Sequence, residues 1–191
     1  MRLKLLILIL ALSPGLASQA AIAKDYDLPE YGLTVAVPDR LKMCWPEPDK
    51  RRRAMLILIN PANFDNCDGK RGDSRSVNIG AFPWLRDYRT LRHFALDFCY
   101  HERGDTCTLL KPGLAIPGHR SISLRAGYHN GWDDVVVFSR VPALHPDSDN
   151  EGVVFIVRLL TRHRQVDRDL PVFREVLRTV RLRPTDGPYY G

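Results

Sequence analysis

The feature that most constrains the fold is a dense group of apolar residues between positions 119 and 160. Valine, isoleucine and phenylalanine at this density favour β-strands. The group divides into three segments, 119–129, 132–141 and 153–160. Asn130-Gly131 lies between the first two, and this dipeptide is the strongest short signal for a β-hairpin with a type I′ turn, which needs positive φ at both residues. The sequence therefore predicts an antiparallel sheet centred on these segments.

Shorter patterns on both sides of this centre predict further strands and two helices. Strands are expected at residues 32–38, 54–59, 76–82 and 106–110. Apolar residues at helical spacing within residues 90–100 predict an amphipathic helix that Thr90 caps. A second helix is expected to begin at Asp169 as its N-cap, with Pro171 in its first turn. Unbroken apolar residues at 135–138 predict a central strand that helices cover on at least one side.

The first 23 residues have the layout of a secretory signal peptide. Arg2 and Lys4 precede a short apolar run, and Ala21-Ile22-Ala23 offers a cleavage site before Lys24, with residues 18–20 as a second possible site. The run is shorter than the ~20 residues that a membrane span needs. An uncleaved anchor is the alternative. We expect a cleaved leader and a soluble product in the periplasm or outside the cell.

Residues 24–191 are expected to form one domain, of which 184–191 would be a loose tail. Four cysteines behind an export signal predict two disulfides, with three possible connectivities. They are Cys44, Cys67, Cys99 and Cys107. A turn-like segment, Arg103-Gly104-Asp105, separates the last two and favours a local bridge, which leaves the first two as the other pair. The alternative, a zinc site, lacks a C-x-x-C pair. The fold class is thus α+β: a mainly antiparallel sheet with two amphipathic helices in a single disulfide-stabilised domain.

Both ends of this domain share a pattern with a known family. At the start, Tyr31-Gly32 opens a strand that Pro38 ends. Near the end, a helical segment has the order Phe-x-x-apolar-Leu-x-Thr-apolar, with Phe173, Val176, Leu177, Thr179 and Val180. In these features the chain resembles the Mog1/PsbP-like α/β/α sandwiches, although the two disulfides are not part of that pattern. Members of this superfamily mainly bind other proteins, so the resemblance implies a binding scaffold rather than a chemistry.

Acid–base residues suggest one candidate catalytic set. His129 lies beside the predicted turn, and Asp133 and Asp134 lie on the following strand, so the three side chains could converge across the hairpin. A solvated hairpin end is the simpler interpretation. The sequence has no G-x-S-x-G motif and no histidine pair at metal-binding spacing. We therefore predict no metal and no cofactor.

Basic residues in predicted loops are the candidate binding groups. The net charge is +6, of which the leader contributes two charges through Arg2 and Lys4. The remaining excess suits anionic partners but does not indicate nucleic acid. The candidates are Arg51, Arg52, Arg53, Arg71, His101 and Arg103. The contact surface is expected to come from the loops at residues 60–75, 100–106 and 142–152.

Three functional hypotheses follow from these observations. The preferred one is an exported protein-binding module that binds another envelope or secreted protein, in its most specific form an inhibitor or immunity-type protein. The second is an envelope hydrolase with a site near His129, Asp133 and Asp134. The third is an accessory protein whose arginines bind anionic lipid or a polyanion.

Overall fold

The structure is a computed structural model that describes residues 23–44, 55–60, 75–84, 87–101, 104–146 and 151–186. The strands are β1 Ala23–Leu28, β2 Leu33–Pro38, β3 Lys42–Cys44, β4 Met55–Leu58, β5 Ser76–Pro83, β6 Thr106–Leu109, β7 Ser121–Gly127, β8 Trp132–Pro142, β9 Gly152–Arg162 and β10 Arg181–Leu182. The helices are α1 Leu91–His101 and α2 Val166–Thr179. Every strand and both helices predicted from the sequence are present, which confirms the α+β class. None of the described helices is long and apolar enough to cross a bilayer.

Antiparallel pairing arranges these strands in two sheets. The larger sheet has the order β3-β4-β5-β9-β8-β7-β6, and the smaller one has the order β1-β2-β10. The predicted centre is confirmed, because β9 is the middle strand and pairs with β8 along its full length, with Val137 opposite Val157. Strands β1, β3 and β10 were not predicted. Residues 23–28 are mostly exposed and polar and show no apolar alternation, while the other two strands are only three and two residues long.

Side chains on β8 alternate between two cores, one on each face of the larger sheet. Val135 and Val137 face a core that contains α2 and the smaller sheet. Val136 and Phe138 face a second core that contains α1. Because apolar side chains leave both faces of this strand, both faces must be covered. The result is an α/β/α sandwich with the two helices on opposite sides of one sheet.

The hairpin between β7 and β8 has a longer loop than predicted. The backbone N–H of Gly131 donates to the Tyr128 carbonyl at 3.1 Å, and the N–H of Tyr128 donates to the Trp132 carbonyl at 3.0 Å. The turn is therefore centred on residues 129 and 130, and Gly131 follows it with φ of +78°. This is the pattern of a three-residue loop with glycine in the left-handed conformation. The hairpin is confirmed, and the two-residue type I′ turn is wrong.

The N-cap of helix α2 is Gln165, four residues before the predicted N-cap Asp169. A short 3₁₀ turn at His163–Gln165 leads from β9 directly into the helix, so Asp169 lies in its first turn. Asp169 is 2% exposed, and its side chain accepts hydrogen bonds from Arg75 and Thr161. Its predicted role as an N-cap is wrong, because the carboxylate points into the protein and pairs there with an arginine 94 positions away.

The structure explains why a glycine follows Tyr31 at the start of β2. Its φ is +62°, and a Cβ atom at this position would lie 2.6 Å from the Arg183 carbonyl oxygen. The Arg183 N–H also donates to the Gly32 carbonyl at 2.8 Å. Glycine is thus required both by the left-handed conformation and by the close approach of the C-terminal segment.

One predicted disulfide is present in the described part of the chain. Cys99 at the end of α1 is bonded to Cys107 in β6, with their Cα atoms 6.2 Å apart. A bridge that closes so short a loop stabilises the fold by about 2–3 kcal/mol. Cys44 is buried and also disulfide-bonded. Cys67 lies outside the described residues, so the pairing of Cys44 with Cys67 stays a prediction.

Order extends into the segment predicted as a loose tail. Thr185 is 4% exposed. Asp186 accepts a hydrogen bond from the backbone N–H of His145 at 2.8 Å and contacts the Nδ1 atom of the same residue at 2.7 Å. Residues 187–191 lie outside the described residues, as do residues 1–22 of the predicted leader.

Candidate anion-binding groove

The predicted acid–base set does not come together. Asp133 and Asp134 are successive residues of β8, so their side chains point to opposite faces of the sheet. The His129 side chain is 93% exposed, and its Nε2 atom lies 3.0 Å from an oxygen of Asp105. The three side chains are therefore not brought together on one face of the sheet.

Both buried aspartates are instead occupied by ion pairs. Asp133, 2% exposed, accepts a hydrogen bond from Arg125 Nε at 2.9 Å and lies 3.1 Å from His163 Nδ1. Asp134, 1% exposed, is bonded to Tyr128 and Arg158. Buried carboxylates need such partners, because an unpaired charge in the interior is strongly destabilising. Both aspartates thus have partners that compensate the burial of their charge.

The predicted binding residues are mostly outside the described part of the chain. Arg51–Arg53, Arg71 and Arg103 fall on residues that the structure does not describe. His101 is the last residue of α1, and its exposed side chain lies 3.4 Å from Asp97. Their role in binding stays a prediction.

A concave surface of about 690 Å³ lies at the N-terminal end of α1. We call it the arginine groove, and its lining residues are Trp84, Arg89, Thr90, Leu91, Arg92, Arg120, Ile122, Arg140 and Pro142. Its volume falls within the usual range of ligand pockets, about 300–1,000 Å³. None of these lining residues is an acid, a histidine or a cysteine. The side chains that line the groove are therefore cationic, apolar or hydroxyl groups.

Strand pairing places two of the arginines next to each other. In the antiparallel β7–β8 pair Ser121 lies opposite Ser139, and their hydroxyl oxygens are 2.6 Å apart. Arg120 and Arg140 are the next residues in this register. Because alternate residues of a strand share a face, Arg140 lies on the same face as Phe138, the face that α1 covers. The pairing thus brings both guanidinium groups to the edge of the helix.

The start of α1 contributes the other two arginines. The Thr90 hydroxyl accepts a hydrogen bond from the backbone N–H of His93 at 3.1 Å, which confirms Thr90 as the N-cap. Arg89 and Arg92 lie on either side of this cap. The first N–H groups of a helix give its N-terminus a partial positive charge, which favours anions. The N-terminus of α1 and the arginines therefore both favour the binding of an anion.

Arg140 is held in place, whereas the other three arginines are available to a ligand. The Arg140 guanidinium lies 4.3 Å from the centre of the Trp84 ring and 3.3 Å from a carboxylate oxygen of Glu151. Within the described part of the chain, no hydrogen bond or ion pair engages the side chains of the remaining three, Arg89, Arg92 and Arg120. All three are exposed. The groove thus carries a concentrated positive charge that the described residues do not neutralise.

An aromatic cluster supports the floor of the groove. Trp84 is 3% exposed and stacks on Phe94 with ring centres 6.2 Å apart. Tyr88 contacts Phe94 edge-on at 4.8 Å and donates a hydrogen bond to Asp97 at 2.6 Å. This hydrogen bond, with burial and the negative charges of Asp97 and Asp87, raises the pKa of Tyr88 to about 12. The cluster fixes the position of α1 and so of its arginines.

The raised pKa of Tyr88 predicts a distinct ionisation. In a spectrophotometric titration, one tyrosine should ionise near pH 12, well above the ordinary value of about 10. Because the folded state favours the protonated phenol, its stabilising effect is present below about pH 10 and is lost as the pH rises through about 12. Asp97→Asn should shift this ionisation downwards. An unchanged titration in the variant would contradict the assigned hydrogen bond.

Sequence reasoning missed this groove because its arginines are distant in the chain. They come from the start of a helix, the start of β7 and the end of β8. The sequence signal that could have predicted part of the groove is the hairpin, because strand pairing across it places Arg120 beside Arg140. Among the described residues, no group of three histidines, cysteines or acids is positioned to hold a metal ion.

Comparison with known proteins gives matches among solved structures. No protein-family profile matches the sequence. No curated protein matches it either. The chain is similar to the solution structure of cyanobacterial PsbP (CyanoP) from Synechocystis sp. PCC 6803, with 14% sequence identity, a TM-score of 0.49, and coverage of 90% of this chain and 99% of that one.

Proposed function

We propose that this protein is an exported binding module that holds an acidic segment of another envelope or secreted protein in the arginine groove. The observation that carries the proposal is the convergence of Arg89, Arg92 and Arg120 on one concave surface without a carboxylate partner in the described chain. Three exposed cations this close together repel one another, and an anionic partner would relieve that repulsion.

The lining of the groove favours a peptide with carboxylates. Arginine presents a planar set of donors that matches a carboxylate in a bidentate geometry. Between the arginines lie Leu91, Ile122 and Pro142, which give apolar contact to the side chains beside those carboxylates. Complementary charge also accelerates the encounter of two proteins and excludes basic partners. An inhibitor or immunity-type role would make the partner a secreted toxin or a wall hydrolase, and that form of the hypothesis stays a prediction.

Charge reversal in the groove tests the proposal. The probe is a short glutamate-rich peptide with a fluorescent label, and its Kd is measured by anisotropy. Hydrogen bonds to charged groups are worth about 1.5–3 kcal/mol each, so Arg92→Glu with Arg120→Glu should raise Kd by roughly 100-fold or more.

The matched control makes the same charge reversal on the opposite side of the molecule. Arg174→Glu with Arg178→Glu changes two exposed arginines of α2 and should leave Kd within a few-fold of the unmodified protein. Equal weakening by the two double variants would mean that the peptide responds to net charge alone. That result would contradict a specific groove.

A further inference from the structure

The outer face of α2 carries a second group of arginines. Arg164 in the preceding 3₁₀ turn and Arg168, Arg174 and Arg178 in the helix are all exposed. We call these four residues the α2 stripe. At 100° per residue the three helical arginines fall within an arc of about 120°, and they extend over roughly 15 Å along the helix axis. They therefore form one row on one side of the helix.

Few acids neutralise this row. The carboxylate nearest to Arg168 is Asp169, at 3.6 Å, which is buried and bonded to Arg75. Glu175 is paired with Arg40. The described side chains of Arg164, Arg174 and Arg178 make no hydrogen bond or ion pair. Asp167 contributes one negative charge to this face, so the stripe retains a clear positive excess.

Local stability does not account for these positions. A cation stabilises the C-terminal end of a helix, which explains Arg178. Near the N-terminal end a cation is unfavourable, because it meets the positive end of the helix dipole. Arg164 and Arg168 nevertheless lie there, and Arg174 lies at mid-helix. The placement of Arg164 and Arg168 therefore has a small cost in folding stability that a role in binding would offset. Arg174 has no such cost, because arginine is a good helix former.

The stripe is held rigidly by the other side of the helix. Phe173, Val176 and Leu177 are at most 3% exposed and pack against the main core. The Thr179 hydroxyl donates to the Ala36 carbonyl at 2.8 Å, which attaches the end of α2 to β2. The backbone positions of the helical arginines are therefore fixed relative to one another, so that only their side chains must become ordered when they bind.

We propose that the α2 stripe docks the protein on an anionic lipid bilayer surface. A bilayer presents many phosphate groups in one plane, which suits a convex, straight row of arginines. No exposed aromatic residue lies on α2 to stack on nucleic-acid bases, and no large apolar side chain of α2 is exposed to enter the lipid. The attachment is therefore peripheral and electrostatic. Because α1 and α2 cover opposite faces of the sheet, the arginine groove stays open to a partner.

Vesicle sedimentation tests this docking. The probes are vesicles of phosphatidylcholine with and without phosphatidylglycerol. Each basic residue near an anionic surface raises partitioning about fivefold, so Arg174→Gln with Arg178→Gln should lower partitioning to the anionic vesicles by about 25-fold. The unmodified protein should lose its binding as salt rises from about 0.1 M to about 1 M, because the Debye length falls from about 10 Å to 3 Å.

Arg92→Gln with Arg120→Gln is the charge-matched control and should partition as the unmodified protein does. Three outcomes would overturn the proposal: no binding to anionic vesicles, equal loss in both double variants, or binding to soluble polyphosphate without binding to vesicles. None of these depends on the peptide assay of the groove, so the two proposals can fail separately.

Discussion

Replacing Asp169 by alanine is expected to lower the free energy of unfolding by about 3–5 kcal/mol. The Asp169 side chain is 3% exposed and bonded to Arg75, whose side chain is only 12% exposed. Removing it leaves a buried guanidinium without its counter-charge and leaves the Thr161 hydroxyl without its acceptor. Urea denaturation followed by circular dichroism measures the change.

The control for this prediction replaces all three hydrogen-bonded residues, Arg75, Thr161 and Asp169, rather than the aspartate alone. Arg75→Leu, Thr161→Val and Asp169→Leu together should cost much less than Asp169→Ala alone, because no buried polar group is then left without a partner. Peptide binding at the groove should persist in this triple variant, since α2 lies on the opposite face. A loss below about 1 kcal/mol for Asp169→Ala would show that the pair is not buried as described.

Replacing Phe138 by alanine should also lower the free energy of unfolding by about 3–5 kcal/mol. Phe138 is fully buried, and its ring contacts Phe94 and Phe98 of α1 edge-on, at 6.0 Å and 5.5 Å between ring centres. The substitution leaves a cavity under the helix that carries Arg89 and Arg92. We therefore expect weaker peptide binding as well as lower stability.

Phe138→Leu is the matched control, because it keeps much of the buried volume. It should cost less than about 1.5 kcal/mol and keep peptide binding close to that of the unmodified protein. Equal destabilisation by the two variants would contradict the cavity argument. Full stability with lost binding would instead indicate a direct role for the ring in the ligand contact.

The parts of the fold that could be predicted are those with local, periodic signals. The paired strands of the centre are dense in β-branched residues, and α1 has both its apolar spacing and its cap at Thr90. The role of Asp169 could not be predicted, because its partner Arg75 is far away in the sequence. An aspartate suits both an N-cap and a buried ion pair, and only the tertiary structure distinguishes these two roles.

The candidate site could likewise be predicted only in part, because it depends on contacts between distant residues. The sequence indicated an anionic partner from its charge but placed the contact in loops rich in basic residues. The arginine groove depends on strand register, which sets Arg120 beside Arg140, and on the packing of α1 against β7 and β8. The set of His129, Asp133 and Asp134 failed for a geometric reason: adjacent residues of one strand cannot share a face.

The two basic surfaces lie on opposite faces of the sheet, so each can bind its own partner. The α2 stripe would hold the protein on an anionic bilayer, and the arginine groove on the opposite face would present itself to a protein partner. Arginine suits both roles, since it stays charged at any physiological pH and pairs with carboxylates and phosphates alike. Separate loss of either surface should leave the other function intact.

The most direct test of the central claim is a nuclear magnetic resonance titration with the glutamate-rich peptide. Amide and indole N–H shifts are followed in the folded protein as the peptide is added. Our account predicts saturable changes that cluster at Trp84, at residues 89–92 and at residues 120–122. Changes that cluster on α2 instead, or that spread over the surface without saturation, would contradict the arginine groove as the binding site.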